Sequence, residues 1–263
     1  MVSIKYLKET PWETRNLGVL SYALDSSVFC MTPEIHTLKE QLNQIYAQSN
    51  FFVFARIPRE HLELIHPLEQ IGFSVVECTV TPFIRLHNNE KICEFEQNRS
   101  IFLPNKFRST VVTISTVNSP DSNLAATIKK VASESFTDDR FHVDANCSAE
   151  IADRRFAYWV DDLVSNVTVS FDLMYIQNEL AGFMARKNND LILAGFSKTY
   201  RAAGLGEFLW LTSCSIIKNL SFKTAETLIS INNIAVLNLY SRLGFRFKDA
   251  QYSLHYWSHL EKR

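Results

Sequence analysis

The sequence contains little glycine. Only 7 of its 263 residues are glycine, whereas average usage would give roughly 18 in a chain of this length. This scarcity excludes collagen-like, linker-like and low-complexity chains. Five of the seven glycines lie beyond residue 180, so backbone geometry that only glycine can adopt is concentrated in the C-terminal third.

Three further absences narrow the class of protein. The five cysteines are scattered without a C-x-x-C pair, which is typical of free thiols and excludes a disulfide framework or a zinc site. No apolar run reaches about 18 residues and no signal-peptide core opens the chain, so we expect a soluble, cytoplasmic protein without a membrane partner. The net charge of −1 gives no field that would attract nucleic acid.

The order of helical and strand patterns predicts an α/β fold on a mixed sheet. From Ser109 to Trp257 the patterns read β-α-α-β-β-β-α-β-α-β, with short connections that favour antiparallel strands first and parallel strands later. A polar, irregular stretch at 87–108 is the best candidate for a linker. It divides the chain into an N-terminal part, 1–108, and a C-terminal part, 109–263.

A strand–loop–helix segment is the first candidate site. The apolar strand 191–196 runs into Tyr-Arg-Ala-Ala-Gly-Leu-Gly at 200–206, followed by an apolar helix. Gly204 and Gly206 let the backbone turn sharply and approach a ligand. The first N–H groups of the helix are unpaired and favour an anion. A pyrophosphate would fit there, although a G-x-G pair at a helix start is not specific and matches neither the Rossmann nor the Walker pattern.

A second segment makes the site more specific. Residues 233–245 predict a helix capped by Asn233 and ending at Gly244, with Tyr240 beside its apolar stripe. Arg201-x-x-Gly204-x-Gly206, followed by Asn233, Tyr240 and Gly244-Phe245, resembles the GCN5-related N-acetyltransferase (GNAT) superfamily. The resemblance covers more than half of the chain, and it departs at Val236, where the family commonly has alanine.

The resemblance implies a GNAT fold and an acyl-CoA-dependent N-acyltransferase that uses acetyl-CoA or another acyl-CoA. The coenzyme A pyrophosphate would lie on the 202–206 amides, the pantetheine arm between strands 190–197 and 224–231, and an amide of 194–196 would polarise the thioester. Tyr240 would protonate the departing thiolate. The implied coenzyme A residues are Ala194, Gly195, Phe196, Arg201, Ala202, Ala203, Gly204, Leu205, Gly206 and Asn233.

Two charge clusters accompany these motifs. Residues 186–248 carry nine bases and three acids, which suits the phosphates of coenzyme A, although a solvated face is the simpler interpretation. Residues 134–162 carry eight acids and three bases. A polycationic acceptor such as a polyamine would suit this acidic segment.

A narrower resemblance concerns the acceptor. Phe-Thr-Asp-Asp-Arg-Phe-His-Val-Asp at 136–144, Tyr-Trp-Val at 158–160 and Pro-Trp-Glu-Thr-Arg-Asn-Leu-Gly at 11–18 resemble the dTDP-fucosamine acetyltransferase family. This implies acylation of the amine of a dTDP-linked amino-deoxy sugar, as in surface-polysaccharide biosynthesis. Asp138, Asp139 and Asp144 would bind the amine or the hydroxyls, and Arg140 a phosphate; alternatively, the segment is a solvated acidic loop.

The N-terminal part resembles a degenerate GNAT-like lobe that precedes a complete C-terminal GNAT domain. Leu68-Glu-Gln-Ile-Gly72-Phe73 echoes Tyr240-Ser-Arg-Leu-Gly244-Phe245. Leu68 stands where the second segment has tyrosine, and no R-x-x-G-x-G precedes residue 100. We therefore expect this part to extend the sheet and to wall the acceptor site.

Several alternatives stay open at this stage. The acceptor is an amino acid, polyamine or aminoglycoside in one alternative, and in another the protein is a non-catalytic acyl-CoA sensor. The acyl length, the sugar and a homodimer are also open. Candidate general bases are His142, Asp144 and Glu207, or a water relay. No metal is expected, because His255 and His259 on a predicted strand would not share one ion and form an unbound surface pair.

Overall fold

One continuous sheet organises the molecule. The computed structural model describes residues 5–30, 33–133, 135 and 139–258. Eleven strands form a sheet in the order β1-β2-β3-β11-β4-β9-β8-β7-β6-β5, with β10 also paired to β4. The strands are β1 Leu7–Glu9, β2 Leu20–Leu24, β3 Phe51–Pro58, β4 Ser74–Arg85, β5 Val112–Val117, β6 Ser170–Ile176, β7 Glu179–Lys187, β8 Asp190–Phe196, β9 Thr224–Glu226, β10 Ile229–Ser230 and β11 Arg246–Trp257.

Nine α-helices within the described residues connect and cover these strands. They are α1 Pro11–Leu17, α2 Ser26–Phe29, α3 Ile35–Tyr46, α4 Ile65–Gln70, α5 Glu90–Gln97, α6 Ser122–Ser133, α7 Ala149–Ser165, α8 Gly206–Asn219 and α9 Ile234–Arg242, with short 3₁₀ turns at Arg59–Leu64, Arg99–Phe102 and Asn105–Phe107. The predicted Asn233 cap forms, because Asn233 accepts from the Val236 N–H, and Ser148 caps α7 by accepting from the Ile151 N–H. None of the described helices is long and apolar enough to cross a membrane.

The two parts of the chain interleave at the centre of the sheet. Strand β4, from the N-terminal part, lies between β9 and β11, and β11 lies between β4 and β3. Outward from the central β4–β11 pair, each side shows an antiparallel, then a parallel, then an antiparallel pairing. The sequence of parallel and antiparallel pairings is therefore the same whether it is followed from β1 or from β7.

The structure confirms the mixed α/β sheet and corrects several local expectations. The segment 87–108, predicted to be irregular, contains helix α5, because Asn89 caps it and Ile92 and Phe95 are fully buried on one face. The expected strand 224–231 is split into β9 and β10. Helix α6 is capped by Asp121, which accepts from the Asn123 and Leu124 N–H groups.

A buried polar centre holds the middle of the C-terminal part together. Asp172 on β6 is 0% exposed and accepts hydrogen bonds from Arg186 Nε, Ser213 Oγ and Thr116 Oγ1, each at 2.8 Å. Arg186 is itself 4% exposed. Strands β5, β6 and β7 and helix α8 thus meet at one carboxylate, whose charge compensates a buried guanidinium.

We expect Asp172→Ala to lower the free energy of unfolding by about 3 kcal/mol or more, because it leaves Arg186 buried without its partner. Chemical denaturation measures this value. The matched control is Asp161→Ala, which removes an exposed ion pair with Lys129 and should cost less than about 1 kcal/mol. Equal effects of the two substitutions would contradict the assignment.

Candidate functional site

A cleft opens where two parallel strands separate. Strands β8 and β9 pair at a single position, Asp190 with Glu226. Beyond it, β9 and β10 continue along β4, while β8 continues along β7. The edge of β8 that faces the cleft is therefore free of strand partners as far as Phe196, and two cavities occupy the space.

The first cavity, which we name the loop cavity, has a volume of about 970 Å³. Its lining includes every residue that the sequence assigned to coenzyme A: Ala194, Gly195, Phe196, Arg201, Ala202, Ala203, Gly204, Leu205, Gly206 and Asn233. The end of β8, the 197–205 loop, the start of α8 and the cap of α9 thus surround one space.

The loop at 197–205 presents its backbone to this cavity. Ala202 and Gly204 have positive φ angles of 56° and 83°, a backbone conformation that residues other than glycine rarely adopt. A Cβ on Gly204 would lie 3.1 Å from Pro104 Cγ. Helix α8 begins without a side-chain cap, so its first N–H groups are available to an anion. A pyrophosphate group fits this backbone arrangement.

Basic side chains surround the same cavity, and half of them come from an unexpected place. Lys91, Arg108, Arg201 and Arg242 line it, together with the acids Glu94 and Glu207. The first two belong to the segment 87–108. Their positive charge was the only sequence signal that the segment 87–108 lines this cavity, because no sequence pattern places the segment against the 197–205 loop. The local charge suits a multiply phosphorylated ligand.

Tyr240 lies at the bottom of the cleft. Its side chain is 2% exposed and packs against the rings of Trp210 and Phe245. Burial raises the pKa of the phenol above its ordinary value of 10, against smaller opposing effects from Trp210 and Thr227. The hydroxyl therefore keeps its proton at neutral pH, as a proton donor must.

The second cavity, which we name the arginine cavity, has a volume of about 700 Å³. Tyr240 lines it, as do Arg56, Arg140 and Arg155. It shares five lining residues with the loop cavity: Ser135, Ala194, Trp210, Asn233 and Val236. The two cavities therefore meet beside the end of β8 and the first turn of α9.

The structure separates Arg140, His142 and Asp144, three residues that the sequence proposed for binding the acceptor or taking its proton. Arg140 lines the arginine cavity. His142 lines neither cavity and is held between Asp139 and Asp153. Asp144 is 3% exposed and accepts from His255 Nδ1 at 2.7 Å and Trp257 Nε1 at 2.8 Å. Positions 136–138 of the same motif, which include Asp138, lie outside the described residues.

His255 corrects the expectation of a surface histidine pair. Its side chain is fully enclosed at 2% exposure, between Phe52 and Phe141, and its Nε2 has no hydrogen-bond partner within the described part of the chain. The alternation on β11 was read correctly, but β3 and β4 cover both edges of this strand. His259 lies outside the described residues. Among the residues described, no three His, Cys, Asp or Glu side chains are placed to hold a metal ion.

Sequence reasoning missed two charged residues of the arginine cavity, Glu77 on β4 and Arg56 on β3. Both belong to the N-terminal part, where no motif points to them. Ser253 on β11 pairs with Arg56 on one side and with Glu77 on the other, so the three lie in a row on one face. Burial raises the pKa of Glu77, against smaller opposing effects from Ser230 and Arg140.

Comparison with known proteins gives the fold a name. No protein-family model matches the chain, and no curated protein sequence matches it. The solved structures most similar to it include GCN5-related N-acetyltransferases, and these neighbours cover nearly the whole chain. The fold is thus a GNAT fold.

Three of these structures illustrate the similarity. A GCN5-related N-acetyltransferase from Sphaerobacter thermophilus has a TM-score of 0.60 at 12% identity, covering 96% of this chain and 76% of its own. A tandem GNAT protein from the clavulanic acid biosynthesis pathway has a TM-score of 0.57 at 9% identity, covering 92% and 76%. A functionally unknown protein from Staphylococcus epidermidis has a TM-score of 0.60 at 10% identity, covering 97% and 92%.

The buried His255 should make stability depend on pH. Burial lowers the pKa of His255 to about 4, against an opposing effect of Asp144, whereas the unfolded imidazole titrates near 6.5. Between these values the unfolded chain binds the extra proton, so the free energy of unfolding should fall by about 2 kcal/mol from pH 6.5 to pH 5. Asp144 adds its own loss only at lower pH, because its pKa is lowered.

Denaturation at pH 7 and pH 5 tests this dependence. His255→Gln keeps a donor for Asp144 and should remove about 2 kcal/mol of the fall. His36→Gln, at an exposed position on α3, should keep the fall unchanged. The same pH dependence in His255→Gln as in the unsubstituted chain would show that another group is responsible.

Proposed function

We propose that this protein is an acyl-CoA-dependent N-acyltransferase. One observation carries the proposal: the loop cavity and the arginine cavity meet beside the end of β8, and Tyr240 lines the arginine cavity with its ring against Trp210, a residue that lines both. An acyl donor in the first cavity would bring its thioester to an acceptor amine in the second. The GNAT fold of the structural neighbours supports this arrangement.

The loop cavity fits the donor, acetyl-CoA or a longer acyl-CoA. The 202–206 amides and the start of α8 would bind the pyrophosphate, with Arg201 beside it. The pantetheine arm would follow the free edge of β8, and an amide of 194–196 would polarise the thioester carbonyl. Asn233 would contact the arm, although its side chain already caps α9 through the Val236 N–H at 3.2 Å.

The reaction requires two proton transfers. The amine nitrogen attacks the thioester carbon, a C–N bond forms and the C–S bond breaks. We assign to Tyr240 the proton that the departing sulfur takes up, since its raised pKa keeps the phenol protonated. The proton lost by the amine passes to a base and restores the phenol after turnover.

We assign that base to Glu77. Among the earlier candidates, Asp144 and His142 line neither cavity, and Glu207 lines the loop cavity with its carboxylate held by Arg242 at 3.0 Å. Glu77 lines the arginine cavity with Tyr240. A Ser230 hydrogen bond lowers its pKa in opposition to burial.

Other carboxylates of the arginine cavity are less suitable as the base. Asp139 is bound by His142, Glu226 is paired with Lys248 at 3.1 Å, and Asp190 is exposed at the start of β8. Ser230 connects Glu77 to helix α9, because the Ser230 carbonyl accepts from the N–H of Asn233, the N-cap of this helix, at 3.2 Å. Glu77 therefore lies on the side of the arginine cavity that is next to the start of α9.

The acceptor we propose is the amine of a dTDP-linked amino-deoxy sugar. In support, Arg140, Trp12 and Trp159 all line the arginine cavity. Each of the three belongs to one of the three segments that resemble the dTDP-fucosamine acetyltransferase family. An amino acid, polyamine or aminoglycoside acceptor is the alternative that assays must separate.

The repeated pairing pattern supports a division of labour between residues 1–108 and 109–263. Helix α4 precedes β4 as α9 precedes β11, and these two strands pair at the centre of the sheet. We propose that residues 1–108 are a degenerate GNAT-like lobe. In this lobe β2 and β3 pair over four positions without a cleft, which leaves no space for coenzyme A.

Tyr240→Phe should lower kcat by at least about 100-fold while the affinity for coenzyme A stays the same, because only the proton donor is lost. Free-thiol release with acetyl-CoA and a panel of dTDP-amino sugars measures turnover, and calorimetry measures the affinity. Tyr22→Phe, at another buried tyrosine, is the control. Full activity of Tyr240→Phe would remove the residue from this role; coenzyme A binding without thiol release to any amine would indicate a sensor.

Glu77→Gln should change the pH profile of kcat/KM. In the unsubstituted protein the acid limb should rise as Glu77 loses its proton, at a pKa above the ordinary 4.5. In the variant that limb should disappear, and the plateau should fall by about 100-fold. An unchanged acid limb in Glu77→Gln would show that a different group, or water, takes the proton.

A further inference from the structure

Two of the arginines that line the arginine cavity, Arg140 and Arg155, are bound to one buried carboxylate. Glu13 on α1 is 4% exposed and binds two guanidinium groups. Arg155 takes both of its oxygens, through Nε and Nη2 at 2.9 Å. Arg140 adds one contact, from Nη2 at 2.6 Å. Two cations therefore share a single anion in a place shielded from water.

Arg140 keeps one donor without a partner. The residue is 6% exposed, lies 4.7 Å from the ring centres of Phe54 and Phe141, and lines the arginine cavity. Its Nη1 makes no hydrogen bond to any described residue. An unpaired buried donor on a charged group is costly and rare. This donor is available to an acceptor atom of a bound ligand.

Arg56 supplies a second cation at the same end. It is exposed, lines the arginine cavity, and makes no ion pair or hydrogen bond with the described residues, apart from lying 6.0 Å from the Phe54 ring. Arg140 packs on that same ring at 4.7 Å. The two guanidinium groups thus flank one aromatic side chain, and both influence the titration of Glu77.

Along the sheet beside the arginine cavity, a positive group and a negative group lie at opposite ends of one row of residues. Arg56, Ser253 and Glu77 are consecutive partners across β3, β11 and β4, so the Cα atoms of Arg56 and Glu77 lie about 10 Å apart. Glu77 lies at the end of this row near Ser230, which precedes helix α9 and Tyr240, whereas Arg56 lies at the other end, across β11. A bound amine near Glu77 would have its remaining atoms directed towards the two arginines.

We propose that the acceptor carries an anionic group, a phosphate or a carboxylate, which binds to Arg56 and Arg140 about 10 Å from its reacting amine. This rests on the proposed function for the identity of the amine end only. It deepens that function by favouring an anionic acceptor over polyamines and aminoglycosides, because a positive charge at the Arg56–Arg140 end of the cavity would meet two guanidinium groups. Guanidinium groups suit phosphate and carboxylate equally, through paired N–H donors.

Matched pairs of probes test the subsite by calorimetry on the full chain saturated with coenzyme A. 6-Aminohexyl phosphate is compared with 6-aminohexanol, and 8-aminooctanoate with 8-aminooctanamide, because their extended chains can hold the amine and the anionic group about 10 Å apart. We expect the anionic member of one pair to bind about 10- to 100-fold more tightly than its neutral partner, and the pair that responds identifies phosphate or carboxylate. Spermidine should bind more weakly than either anion.

Arg56→Gln assigns the selectivity to the subsite with little risk to folding, because the side chain is exposed. It should weaken binding of the anionic probe about tenfold and leave the neutral probe unchanged. Arg59→Gln, which removes a nearby exposed arginine outside both cavities, should change neither. Tighter binding of neutral or cationic probes, no binding of either anion, or unchanged selectivity in Arg56→Gln would overturn the proposal.

Thiol release separates this proposal from the proposed function. Selective anion binding without acyl transfer would reject the acyltransferase and retain the subsite. Acyl transfer to neutral and anionic amines with equal kcat/KM would retain the acyltransferase and reject the subsite.

Discussion

The site depends on the loss of pairing between β8 and β9. The two parallel strands share one position and then separate, because β9 and β10 follow β4 while β8 follows β7. Paired strands lie about 4.8 Å apart, which leaves no space for a ligand. The separation exposes one edge of β8 inside the molecule, places the α8 and α9 N-termini on one side of it, and creates the junction where the two cavities meet.

That separation is stable because the N-terminal part supplies a new partner for β9. Strand β4 pairs with β9, β10 and β11, so the edge of β9 and β10 that faces away from the cleft is held by a strand from the other part of the chain. The same strand presents Glu77 to the arginine cavity. The N-terminal part is thus required for the cleft and for its acceptor side, even though it has no nucleotide-binding loop of its own.

The sequence predicted the loop cavity far better than the arginine cavity, and the reason is physical. A backbone cradle needs glycine at fixed spacing and a helix start, and both are local features that leave a signal at 201–206. The arginine cavity is assembled from α1, β3, β4 and α7, which are distant in sequence. No local pattern predicts that Arg56 and Glu77 become neighbours of one β11 residue. His255 was misplaced for the same reason, because its burial depends on two flanking strands rather than on its own.

The two cavities also differ in how they recognise charge. In the loop cavity the 197–205 backbone and the start of α8 are the main donors, so many side chains there tolerate exchange while the geometry persists. In the arginine cavity the donors are side chains held by Glu13, and the geometry depends on that one buried carboxylate. Substitution of Glu13 would leave two buried guanidinium groups uncompensated, which is strongly destabilising. In the proposed function, selectivity for the acceptor is therefore coupled to the stability of the α1–α7 contact, whereas recognition of the donor is not.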